Sequence, residues 1–194
     1  YFKKKDYTNA SNYFDKFVKK TDIKSDNKND AYLRLGDTYF VTSQYQKAID
    51  AYQNSVTINS KTADYATFQS AVSYGFLGKN DKKIALLNQV TNNFPTSSLL
   101  AETYYVLGTT YTTENQNVKA IESYDKLIKN HPNSSFVPRA LLKKGLIYYN
   151  QNQPDKALEV YKLAVKNYPN TPIAQEAVQN ARQIYIDTGR VDEY

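Results

Sequence analysis

Residues 107–132 read LGTTYTTENQNVKAIESYDKLIKNHP, and residues 144–169 read KGLIYYNQNQPDKALEVYKLAVKNYP. Laid over one another they share Gly108 with Gly145, Tyr111 with Tyr148, Ala120 with Ala157, Tyr124 with Tyr161 and Pro132 with Pro169. Steps of three residues from Gly to Tyr and four from Ala to Tyr place each pair on one helical face. Between Tyr and Ala stand short polar breakers, Glu114-Asn115-Gln116 and Asn150-Gln151-Asn152-Gln153-Pro154. Each stretch predicts a helix, a tight turn and a second helix, with the Pro ending the second. Small residues at two fixed positions allow the helices to approach closely.

The pattern runs outward in both directions. Tyr1, Tyr39, Tyr74, Tyr111, Tyr148 and Tyr185 recur at steps of 38, 35, 37, 37 and 37 residues. A fixed period of this size predicts a stacked array, in which each unit hides its apolar face against the next. Second helices are expected near 8–20, 45–58, 81–92, 117–130 and 154–167. First helices are expected near 29–43, 62–77, 98–113, 136–151 and 172–188. The units then span 29–61, 62–97, 98–134 and 135–171, with a partial unit at 1–20 and a partial or capping unit at 172–194. The polar run 21–28 is expected to be a linker and the most mobile connection. The Ser/Thr clusters after Pro95 and Pro132 are placed to cap the helices that follow. Residue 1 is Tyr and aligns with the middle of a first helix, so an excised or processed fragment is expected.

With the recurring Tyr as position 11 of a unit, position 8 is small, position 20 is Ala, position 24 is aromatic and position 32 is Pro. This set resembles the tetratricopeptide repeat, and the likeness covers nearly the whole chain. The resemblance implies an all-α, right-handed superhelical solenoid of antiparallel helix pairs that binds proteins. Two units depart from it. Ala71 and Lys83 stand where Gly and Ala are expected, which predicts a helix pair splayed or shifted by a residue. Arg182 stands at the glycine position of the last unit, as suits a truncated unit or terminal cap. The period exceeds the family's usual length of about 34 residues. The junctions Phe94-Pro95-Thr96-Ser97-Ser98, His131-Pro132-Asn133-Ser134-Ser135 and Tyr168-Pro169-Asn170-Thr171-Pro172 are similar to those of bacterial cell-envelope members. Those members include the Tol–Pal-associated division coordinator and the lipoprotein of the outer-membrane β-barrel assembly machine. That likeness implies a periplasmic or envelope adaptor, with the cytoplasm as the alternative.

Composition narrows the chemistry. The chain has 194 residues, 19 of them Tyr and 8 Phe, and carries a net charge of +6 with no Cys. Without Cys there is neither a disulfide framework nor a thiolate metal site. His131, the sole histidine, occupies the place of Phe94 and Tyr168 and is expected to pack as a ring beside Pro132. Asp50, Glu122 and Glu159 recur two residues after position 20, on an outward face. No paired carboxylates, phosphate-binding glycine loop or nucleophile elbow is present, so neither enzymatic activity nor a cofactor is expected. Only 4 of the 25 basic residues are Arg, and nucleic-acid binding is not expected. A weaker reading would use Lys3, Lys4, Lys5, Lys16, Lys19 and Lys20 on an anionic surface, with steep salt dependence. No apolar run is long enough to span a membrane.

In the tetratricopeptide family, first helices line a concave surface through positions 2, 5, 9, 12 and 13. Carried over, these are Leu33, Phe40, Val41, Tyr65, Phe68, Val72, Phe76, Tyr105, Leu142, Leu146 and Tyr149. A bare groove this apolar would be an interaction site for a peptide or partner helix. Self-association, with the wall consumed between copies, is the alternative. The family's clamp for acidic C-termini needs Lys and Asn at positions 5 and 9; Leu33 and Asp37, then Phe68 and Val72, stand there instead.

Overall fold

The computed structural model describes residues 6–58 and 60–193. Tyr1, Lys3, Lys4 and Lys5 lie outside the described residues. Among the described residues the regular elements are ten α-helices and two short 3-10 turns, with no strand. The chain divides into two units, residues 1–100 and 101–194. In the first, α1 (Tyr7–Val18), α2 (Ser25–Val41), α3 (Tyr45–Ile58), α4 (Ala63–Phe76) and α5 (Asn80–Asn93) each pack on the next. The second holds α6 (Leu100–Thr113), α7 (Asn117–Asn130), α8 (Val137–Asn150), α9 (Pro154–Asn167) and α10 (Pro172–Asp187).

The turn inside four helix pairs is one device, used a fifth time at the end of α10. Ser43, Gly78, Asn115, Asn152 and Gly189, all at position 15, adopt φ between 56° and 69°. The next amide donates back to the carbonyl of the recurring Tyr, at 2.8 Å from Gln44 to Tyr39 and from Gln116 to Tyr111. The left-handed residue's own amide reaches position 12, as in Ser43 to Phe40 at 3.0 Å. This is the Schellman arrangement, which satisfies carbonyls that a helix end leaves open. At the other junctions, Ser97 and Ser134 hydroxyls accept from the amides of Leu99 and Phe136, and Thr171 accepts from Ala174.

Packing within a pair turns on glycine against tyrosine. A Cβ on Gly36, Gly108 or Gly145 would lie 2.5, 2.3 or 2.4 Å from the ring of Tyr52, Tyr124 or Tyr161. These rings are fully buried, and burial pushes the Tyr124 and Tyr161 phenols up to about 12. The recurring Tyr has a second companion. Lys47, Lys82, Lys119 and Lys156, at position 19, set their ammonium groups 5.3–5.6 Å from the rings of Tyr39, Tyr74, Tyr111 and Tyr148. Part of the basic excess is thus held in cation–π contacts.

Two expectations are corrected. The run 21–28 is not a linker throughout, because α2 begins at Ser25. Asn29 anchors that polar start: it is buried, accepts from Ser55 Oγ at 2.7 Å and donates to Thr62 Oγ1 at 2.9 Å. Nor is the pair α4–α5 splayed. Ala71 and Leu87 are both fully buried, the larger residue at position 8 being matched by a smaller one at position 24. Lys83 runs its stem along Gly75, where a Cβ would lie 3.0 Å from its Cδ. Burial lowers the Lys83 pKa.

Candidate partner-binding faces

The residues expected to form one wall fall into two groups, one in each unit. In the first unit, Leu33, Asp37 and Phe40 are spaced three and four apart on α2 and share a face. Phe40 meets Phe76 of α4 edge-on at 5.5 Å, and Phe76 stacks on Tyr45 of α3 at 4.7 Å with an interplanar angle of 7°. Phe76 is nevertheless 60% exposed and Val41 49%. Three helices thus combine to hold an aromatic cluster in water. Beside it, Tyr52 and Tyr65 both donate to Asp37 Oδ1 at 2.8 Å. Burial raises both phenols, and Asp37 raises them further. Leu33, Tyr65 and Val72 are half-buried.

In the second unit Tyr105 stacks on Phe136 at 5.2 Å and leans on Tyr124 at 6.3 Å. Leu146 is 43% exposed. Tyr149 donates to Asp187 Oδ2, and this bond raises its phenol, while Gln183 donates to Asp187 Oδ1 at 2.8 Å.

Phe68 and Leu142 are corrected: both are buried and belong to the core. Seven of the 14 residues of α4 and six of the 14 of α8 are buried, because each helix is covered by helices on both sides. Tyr45 was missed. It opens a second helix, and its contacts cross three helices, so no spacing within one helix announces it.

The remaining candidates are accounted for locally. The His131 ring lies 6.0 Å from Tyr104, beside the end of α7. Asp50, Glu122 and Glu159 are exposed. Lys19 pairs with Asp15 at 2.5 Å, and Lys20 lies over Phe17. Among the described residues no group of three or more His, Cys, Asp or Glu could hold a metal ion, and no helix is long and apolar enough to cross a membrane.

A family model for the tetratricopeptide repeat matches residues 65–97, 101–134 and 139–171, and a second of the same description matches 1–63. No curated protein sequence matches the chain. Among solved structures, a MamA crystal structure is 24% identical with a TM-score of 0.70, covering 85% of each chain. A second MamA structure is 22% identical with a TM-score of 0.66, covering 99% of this chain and 94% of that one. YrrB, described as a TPR protein with an unusual peptide-binding site, is 17% identical with a TM-score of 0.66, covering 91% and 84%. At these identities the likeness is one of fold.

Proposed function

The chain belongs to the tetratricopeptide repeat family, and from that premise we propose that it is a non-enzymatic adaptor that docks a partner peptide or helix. The observation that carries this reading is the cluster Phe40, Tyr45 and Phe76. Its rings are ordered against one another, yet Phe76 leaves 60% of its surface to water. Preorganised aromatic anchors of this kind dominate interface energies, at about 2 kcal/mol or more each when truncated. The peptide-binding site of YrrB, a protein of similar fold, lends support. Affinity capture from the native host tests the proposal: Phe76→Ala abolishes partner recovery while circular dichroism stays unchanged. Full recovery by a correctly folded Phe76→Ala protein would overturn it.

A second reading is self-association through apolar surface such as Leu146, Leu163 and Ile186 in the second unit, each 40–49% exposed. Light scattering separates the two: a monomer favours the adaptor, a concentration-dependent dimer the assembly. The address we propose is the periplasm or cell envelope, with the cytoplasm as the alternative. Its support is the aromatic-Pro-x-Ser/Thr junctions, and fractionation of the host checks it.

A further inference from the structure

Asp37 sits on the α2–α4 face between the apolar side chains that the docking proposal uses. Its Oδ1 is the acceptor for two phenols at once, the buried Tyr52 of α3 and Tyr65 of α4. A carboxylate offers roughly four acceptor positions, so two bonds at one oxygen leave the other half of the group open. Among the described residues no hydrogen bond reaches Oδ2, and no Lys or Arg lies within ion-pair distance. Arg34 of α2 and Lys47 of α3 are engaged elsewhere. Arg34 Nε is 2.9 Å from Asp30, and Lys47 lies over Tyr39 and bonds Gln44. Phenols orient a carboxylate without neutralising it. In a chain of net charge +6, this face therefore presents an oriented, uncompensated negative charge in an apolar setting.

That combination constrains the occupant. An apolar segment laid over Phe40 and Phe76 would take Asp37 out of water, and desolvating an unpaired carboxylate is costly. An acidic segment would add repulsion. A segment carrying one cationic side chain removes the penalty and gains a charge-assisted hydrogen bond at Oδ2. We propose that the α2–α4 face takes a peptide segment in which one Lys or Arg seats on Asp37 Oδ2 and adjoining apolar residues cover Phe40, Tyr45 and Phe76. This specificity rests on the reading of the face as a docking surface.

The test is selection of a displayed library of random linear peptides on the whole protein, on Asp37→Asn and on Phe76→Ala. Asparagine keeps an oxygen for both phenols while removing the charge, and an unchanged melt confirms that the variant folds. The expected pool on the parent is rich in Lys or Arg at one fixed place beside apolar residues. On Asp37→Asn the basic preference disappears and the apolar preference stays. A selected basic peptide should lose about tenfold in affinity on Asp37→Asn, and the same peptide with norleucine for the basic residue should lose little further. A parent pool that is apolar but neutral or acidic overturns the cationic seat and leaves the docking surface standing. A pool indifferent to Phe76→Ala removes both. A dimer that Asp37→Asn dissolves would give the face to a second copy and would also overturn the proposal.

Discussion

Glycine at positions 36, 108 and 145 answers to the ring it faces, since each lies inside a helix with ordinary backbone angles. At Gly108 even one methyl group has no room, and the buried Tyr124 ring has nowhere to swing. Alanine would gain about 1 kcal/mol in helix propensity. Overpacking costs about 1–3 kcal/mol, and with a Cβ at 2.3 Å it wins. Gly108→Ala should therefore lower the melting temperature, and adding Tyr124→Leu should recover most of the loss. The second substitution copies the chain's own solution at Ala71 and Leu87; a double variant no better than the single would refute the pairing. Lys83 offers a test in pH. Burial lowers its pKa from the ordinary 10.5, so between the folded and unfolded values the unfolded chain binds more protons, and stability rises with pH there. Below that window the buried ammonium is penalised. Lys83→Met should be the more stable protein at neutral pH, and its advantage should shrink as pH climbs towards 10.5. An advantage that does not vary with pH would assign the effect to packing alone.

At the scale of helices and turns, the sequence carries most of the fold because its signals are local and repeated. The steps between Gly, Tyr, Ala and Pro place α3, α7 and α9 where the spacing predicts them, at 45–58, 117–130 and 154–167. The start of α2 escapes that reading, since Asn29 is fixed by Ser55 and Thr62, one 26 and the other 33 residues away. The left-handed residue of each turn is also hidden, because Ser43, Asn115 and Asn152 stand where Gly78 and Gly189 show the need openly. That need is testable. An L-residue in this conformation costs roughly 1–2 kcal/mol, partly offset by the freedom glycine gives the unfolded chain. Ser43→Gly should raise the melting temperature by a few degrees, and Ser43→Val should lower it. Equal melts for the two would show that the turn relaxes instead of holding its φ of 59°.

For the molecule as a whole, the candidate site was less legible than the fold. Helical spacing assigns a residue to a face but not the cover supplied by neighbouring helices, so Phe68 and Phe76 look alike in sequence. One is 4% exposed and the other 60%. The partner of Asp37 was equally invisible, because Tyr52 and Tyr65 reach it from two other helices. The same dependence on neighbours governs stability. Within each unit, helices pack on elements next or next-but-one in sequence, as where α9 lies between α8 and α10 and α8 also meets α10. In such an array stability is close to a sum of unit and nearest-neighbour terms, so damage should stay near its origin. Gly145→Leu forces a side chain into the Tyr161 ring and should cost about 1–3 kcal/mol locally. Amide hydrogen exchange should then quicken in α8, α9 and α10, while the amides of α1 to α3 keep the protection they have in the parent. Uniform acceleration along the chain would mean that the repeats open as one body, and the nearest-neighbour account of this array would be wrong.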